Sequence, residues 1–300
     1  MADRKPVRSI LAATDFSAGA TRAAHRAARL ASQFEAELRL IHIVPREAAN
    51  PFGELLQHSP REQHRIRERA KSQLASLVSE LKDSAAVEAN SLVRTGDLID
   101  VAIRVADRVD LLVLGANGRR LSDVLLGSTA ARVVTRCRRP TLIVRQEPEP
   151  GYRRVLVPLD FTTHSIRILE FAASFAPSAE FTLLHISERA WSAQSSDEEG
   201  AHHLRDDTRQ QAIANLENLP HLAGLPAGQT GIAEERGKAG ELIAERAAGS
   251  GADLIVMGKH DRSAVDEFLL GGTTRHTIMR ARCDLLVVPE RSGLDPTPPG

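Results

Sequence analysis

The chain has 300 residues, 42% of them apolar, and its 39 basic side chains balance 39 acidic ones. That length suits two domains of roughly 145 residues, each able to bury its own core. The even balance removes the electrostatic ground for a nucleic-acid binder, which shows as a clustered basic excess, and no apolar run approaches the roughly 18 residues of a membrane span.

From the amino terminus, the polar residues 1–7 run straight into an apolar segment with no leader-like stretch before it. The expectation is a soluble, cytoplasmic protein that binds no membrane. Strands are predicted at about 8–14, 37–43, 86–94, 111–115 and 141–145, separated by helices near 17–33, 60–82, 97–107 and 128–137. In the second helix, Ile66, Ala70, Leu74, Leu77 and Leu81 recur at helical spacing with charges between them. The basic clusters Arg65-Arg67-Arg69-Lys71 and Arg136-Arg138-Arg139 read as solvated faces. Residues 145–151, with two prolines and a glycine, have linker composition. Strands near 154–158, 180–186, 229–234, 253–258 and 285–289 follow in the same order. Residues 187–203 read as a loop, and the tail 292–300 has too little apolar content to pack. Domains are therefore expected at 1–147 and 152–291. Cys137 and Cys283 lack metal-ligand spacing and read as buried thiols of a reducing compartment.

The second half repeats the first. Ser9-Ile10-Leu11-Ala12-Ala13-Thr14-Asp15-Phe16-Ser17 returns as Arg154-Val155-Leu156-Val157-Pro158-Leu159-Asp160-Phe161-Thr162, an offset of 145. Leu40-Ile41-His42-Ile43 returns as Leu183-Leu184-His185-Ile186, Asp110 to Gly115 as Asp253 to Gly258, and Leu125-Leu126-Gly127 as Leu269-Leu270-Gly271, at offsets of 143, 143 and 144. This period is too long for a solenoid repeat and right for a whole domain. The continuous apolar runs Leu111-Leu112-Val113-Leu114 and Leu254-Ile255-Val256-Met257 mark strands covered on both faces. Such strands belong to a parallel sheet between helix layers, so each copy is expected to be an open five-stranded α/β sandwich.

In such sheets ligands bind beyond the carboxyl ends of the strands, where strand order reverses. Two segments of the first copy should meet there: Thr14-Asp15-Phe16-Ser17, and Gly115-Ala116-Asn117-Gly118-Arg119-Arg120 with Leu125-Leu126-Gly127-Ser128-Thr129 opening a helix. Glycines let backbone N–H groups approach an anion, and a helix N-terminus adds orphan donors and a positive dipole end. Ser128 and Thr129 can donate hydroxyls, Arg119 or Arg120 can neutralise charge, and Asp15 can accept from a ribose hydroxyl or an adenine edge. Taken singly, each glycine also fits a plain turn, and Asp15 or Ser17 also fits a helix cap.

At these residues the chain closely resembles the universal stress protein family, tandem type. The family signature is Gly, two residues, Gly, nine residues, Gly and then Ser or Thr, with an early strand ending in a Thr-Asp-Phe-Ser-like turn. The resemblance implies two Rossmann-like domains of the adenine nucleotide alpha hydrolase type. In one branch of the family it also implies ATP or another adenine nucleotide, with or without Mg. In the first copy only eight residues separate Gly118 from Gly127. In the second the spacing is kept, but Asp261 replaces the middle glycine and Gly272 replaces the Ser or Thr. Carried over by position, Ala13, Thr14, Asp15, Ile43 and Leu114 would line the adenosine. Gly115, Gly118, Arg119, Gly127, Ser128 and Thr129 would form the phosphate cradle. The second, weaker site would comprise Pro158, Leu159, Asp160, Ile186, Met257, Gly258, Gly271, Gly272 and Thr273. A carboxylate at Asp261 repels a polyphosphate, so the first copy is expected to be the better nucleotide site.

No GxxxxGK[ST] loop, strand-1 GxGxxG or nucleophile elbow appears, and no acid–base pair stands out. His202-His203 with Asp206 and Asp207 could hold a metal, although adjacent loop histidines usually do not. His42 and His185, equivalent in strand 2, read as structural or as lining the cleft mouth. The expected function is a stress-response protein that senses an adenine nucleotide without turnover as its purpose, slow ATP hydrolysis being unsupported. The alternative is a nucleotide-free scaffold with degenerate cradles in both copies. The family's domains commonly pair through the apolar last strands, here 141–144 and 284–288. An intrachain pseudo-dimer is therefore expected, with further homodimerisation left open.

Overall fold

The computed structural model describes residues 7–45, 59–116, 128–159, 163–187, 225, 228–259 and 271–290. The chain divides into two compact units, and Tyr152 opens the second.

The first unit runs β1(Ser9–Ala13), α1(Ala18–Phe34), β2(Glu37–Pro45), α2(Pro60–Ala85), β3(Ala89–Gly96), α3(Leu98–Ala106), β4(Leu111–Gly115), α4(Ser128–Arg136) and β5(Thr141–Val144). All its strand pairs are parallel and their order is β3-β2-β1-β4-β5. The continuous apolar run of β4 is buried from Leu111 through Leu114, as a strand covered by helices on both faces must be. Helix α1 starts because the Ser17 hydroxyl accepts from the Ala20 N–H at 3.2 Å. It ends where Glu35 turns left-handed, with φ 50°. Its buried face is mostly alanine (Ala20, Ala23, Ala24, Ala27, Ala28 and Ala31), which lets the helix lie close to the sheet. Helix α2 buries Ala70, Leu74, Leu77 and Leu81, while the expected core residue Ile66 is only half-buried. It runs three residues past its expected end, to Ala85, before Ala86 caps it at φ 53°. This carries the start of β3 from the expected 86 to Ala89.

The second unit repeats the order with β6(Arg154–Leu159), α5(Thr163–Phe175), β7(Glu180–Ser187), β8(Thr230–Arg236), α6(Ala239–Ser250), β9(Leu254–Lys259), α7(Gly272–Arg280) and β10(Asp284–Pro289). Its parallel strands lie in the order β10-β9-β6-β7-β8. The Tyr152 hydroxyl donates to the buried Asp284 carboxylate at 2.8 Å, and its ring stacks on Phe175 at 6.0 Å. Cys137 and Cys283 are buried, and neither forms a disulfide.

One aspartate device is built twice at the amino ends of the strands. Asp110 accepts from the Arg8 and Ser9 N–H groups and from the Ser9 hydroxyl, at 2.9 to 3.0 Å. Asp253 accepts from the Arg153 and Arg154 N–H groups at 2.8 and 3.0 Å. Each carboxylate satisfies backbone donors at the start of the first strand of its unit. Among the described residues, no helix is long and apolar enough to cross a membrane.

Candidate functional site

In the first unit, β1 lies between β2 and β4. The chain therefore leaves β1 toward one neighbour while the other arrives from later in the sequence. This is the point where strand order reverses, and the carboxyl ends of β1 and β4 flank it.

The turn after β1 is held by its own polar atoms. The Thr14 N–H donates to the Ile41 carbonyl at 2.9 Å, and the buried Thr14 hydroxyl accepts from the Phe16 N–H at 3.0 Å. Asp15 Oδ1 accepts from the Ser17 N–H at 3.0 Å, an Asx turn that feeds the Ser17 cap of α1. Phe16 sits at φ 62°, a conformation uncommon for a bulky residue. Its ring lies 4.5 Å from that of His42. His42 Nδ1 is 2.8 Å from the Thr14 carbonyl, which can only accept, so Nδ1 carries the proton. His185 repeats the contact to the Leu159 carbonyl at 3.4 Å. These two histidines brace the first strand of their unit at its carboxyl end.

Gly115, the first signature glycine, is required by packing. A Cβ there would lie 2.6 Å from both the carbonyl carbon and oxygen of Gly19, and 2.8 Å from the Ala20 nitrogen. The first turn of α1 presses directly on the end of β4. Of the residues expected in this site, Ala13 is half-buried, Thr14, Ile43 and Leu114 are buried, and Asp15 keeps one carboxylate oxygen without a hydrogen bond among the described residues. Ser128 opens α4 and Thr129 is exposed. Gly118, Arg119 and Gly127 lie outside the described residues, as do Asp160, the possible metal group at His202, His203, Asp206 and Asp207, most of the 187–203 loop and the 292–300 tail.

In the second unit the carboxyl ends of β6, β7 and β9 enclose a cleft of about 270 Å³. Pro158, Leu159, Ile186, Met257, Gly258 and Thr273, all expected from the sequence, line it together. The rest of the lining was missed: Ser165 and Ile168 of α5, Ala239 and Ile243 of α6, and Leu184 and Thr274. For Ser165, Ala239 and Thr274 the signal was available, because the first turns of helices that follow parallel strands face the same opening. Gly271 and Gly272 are exposed, and among the described residues nothing lies within 4 Å of where a Cβ would stand. The atoms nearest to a Cβ on Gly258 would be side-chain atoms, Ile168 Cδ1 at 2.6 Å and the His164 ring at 3.1 Å.

The model of the universal stress protein family matches this chain twice, over residues 6–145 and 151–289. The chain belongs to the universal stress protein family. It is a tandem member, with two Rossmann-like domains. A universal stress protein of Mycobacterium tuberculosis, Rv2005c, is 24% identical over 201 residues, covering 63% of this chain and 65% of that protein. The alignment thus spans slightly less than two thirds of that relative. The universal stress protein YxiE of Bacillus subtilis is 25% identical over 146 residues, which is 46% of this chain and 99% of YxiE. Among solved structures, a universal stress protein from Archaeoglobus fulgidus shares the fold, with a TM-score of 0.67 at 19% identity over 96% of this chain and 99% of that one.

Proposed function

We propose that this tandem universal stress protein binds an adenine nucleotide, ATP or a relative, mainly in its first unit, and acts in the stress response as a sensor or regulator rather than a turnover enzyme. One observation carries the reading: Asp15 follows the strand at which strand order reverses, and among the described residues only one of its carboxylate oxygens is hydrogen-bonded, to its own turn, which leaves the other to accept from a ribose hydroxyl in this reading. In this reading Ala13, Thr14, Asp15, Ile43 and Leu114 face the adenosine. Gly115, Gly118, Arg119, Gly127, Ser128 and Thr129 face the phosphates, with Mg as a possible companion. That the buried Cys137 and Cys283 form no disulfide supports a reducing, cytoplasmic setting in this reading.

The test is calorimetric titration of the full chain with ATP, beside a thermal scan. ATP at a hundred times its Kd stabilises by about 2.7 kcal/mol, and Asp15→Ala should remove most of that gain. No heat and no shift would overturn the proposal. Turnover far slower than nucleotide exchange is expected, and steady multiple-turnover hydrolysis would contradict the sensor role.

A second reading, a nucleotide-free scaffold, draws on a specific finding. The tight packing of Gly115 on α1, the turn made by Asp15 and the cap made by Ser17 account for all three residues without a ligand. It expects an unchanged melting temperature in millimolar ATP.

A further inference from the structure

We infer that β3, the outer strand of the first unit, is a docking edge for a second copy of this chain, the two β3 strands pairing antiparallel about a two-fold axis at Leu92. This edge lies across the sheet from β5, and the inference does not depend on nucleotide binding.

The first observation is an edge without guards. β3(Ala89–Gly96) ends the strand order of its unit, and among the described residues β2 is its only strand neighbour. Its eight residues exceed the usual five or six. It contains no proline and a single charged side chain, Arg94. Proteins normally blunt such an edge by shortness, proline or charge. The corresponding strand of the second unit is blunted in this way. β8 ends in Glu234-Glu235-Arg236, and Glu235 is paired with Arg246 at 3.6 Å.

The second observation shows which backbone groups face outward. Arg94 Nη1 donates to the Val93 carbonyl at 3.3 Å. A guanidinium cannot reach a carbonyl enclosed between two strands, so Val93 turns its carbonyl, and its N–H with it, away from β2. Alternation along the strand turns Ala89, Ser91 and Thr95 the same way. Asn90, Leu92 and Arg94 then supply the bonds to β2.

The third is that this strand is its own complement. With the axis at Leu92, Ala89 lies opposite the partner's Thr95 and Ser91 opposite the partner's Val93. These are hydrogen-bonded pairs, each exchanging two bonds, so every outward group of both strands is matched. Leu92 meets the partner's Leu92 in the closer, non-hydrogen-bonded arrangement, an apolar pair at the centre. Arg94 falls opposite the partner's Asn90, so like charges are not opposed. Glu88, just before the strand, is already paired with Lys82 at 3.3 Å. A contact that matches itself under a two-fold axis selects a second copy over an unrelated strand, with main-chain bonds supplying the affinity.

The test is sedimentation velocity of the full chain over a dilution series, beside cysteine cross-linking. A strand-edge contact is small, below about 1,200 Å², so monomer should give way to dimer between about 1 and 100 μM. Leu92→Lys sets two ammonium groups face to face and should raise the dimer Kd at least about tenfold. Val93→Pro removes an outward N–H, which an edge strand tolerates, and should weaken the dimer as much while the chain stays folded. Leu92→Cys places two thiols on the axis with Cα atoms about 4.5 Å apart, within disulfide reach. Asn90→Cys puts them about 14 Å apart, four residues along the strand, and should cross-link far more slowly. A chain that stays monomeric throughout would overturn the inference, as would a dimer that neither Leu92→Lys nor Val93→Pro weakens. Equal cross-linking at positions 90 and 92 would overturn it too. Unfolding of Val93→Pro would show that its N–H serves β2, and would overturn the register.

Discussion

Replacing Gly115 by alanine separates a packing role from a ligand role at the first signature position. The new Cβ would sit 2.6 Å from the Gly19 carbonyl carbon and oxygen and 2.8 Å from the Ala20 nitrogen. Carbon contacts are optimal at about 3.5–4.0 Å, so α1 must back away by about 1 Å. These are backbone atoms of a capped helix turn and cannot rotate aside, which places the overpacking cost near 3 kcal/mol. Alanine also restricts the unfolded chain, returning about 0.4–1 kcal/mol. The net loss is about 2 kcal/mol, or a fall of about 4–8 °C in the melting of a unit this size. Gly258→Ala is the control. Its clash falls on Ile168 Cδ1, the far end of a flexible side chain, and on the His164 ring at 3.1 Å. Rotation of Ile168 relieves most of it, so little net change is expected. Two units need not melt as one two-state system, so calorimetry should be paired with hydrogen exchange to locate the loss in the first unit. Equal effects of the two substitutions would refute the packing argument, as would a stable Gly115→Ala protein that has lost only ligand binding.

Ser17→Ala removes the α1 cap and should cost about 1 kcal/mol, read as faster amide exchange in the first turn of α1. Asp110→Ala removes three hydrogen bonds from Arg8 and Ser9, two of them part-buried, and should cost about 1–3 kcal/mol. Asp253→Ala removes two solvent-exposed ones and should cost less, about 0.5–1.5 kcal/mol, and neither change should alter ligand affinity, since both lie at the strand ends opposite the proposed sites. Gly240→Ala would put a Cβ 2.4 Å from His276 Cβ. It should push α6 from α7 at a cost of about 1–3 kcal/mol, measured as a lower melting temperature of the second unit.

Much of this architecture was legible in the sequence because the signals were redundant. The apolar runs of β4 and β9 and the helical spacing in α2 each appear beside turn chemistry that agrees with them, and the repeat states the plan twice. The details that escaped are set by tertiary contacts or by single backbone angles. The extra residues of α2 depend on the left-handed cap at Ala86, where alanine gives no warning. The turn after β1 passes through a positive φ at Phe16, again without a glycine to announce it. Asp110 and Asp253 stood out only as repeat landmarks, since their backbone partners lie about 100 residues away. At the site, the strand-end residues of the second unit were legible by position. The helix residues that close its cleft, such as Ile168 and Ile243, depend on packing against the sheet.

Hydrogen exchange of the full chain with and without saturating ATP tests the central claim most directly. Binding in the first unit should slow the amides around Asp15 and those opening α4 together, leaving the Asp110 end of the same strands unchanged. Exchange that ATP leaves unaltered in both segments, or protection confined to the second unit, would contradict it.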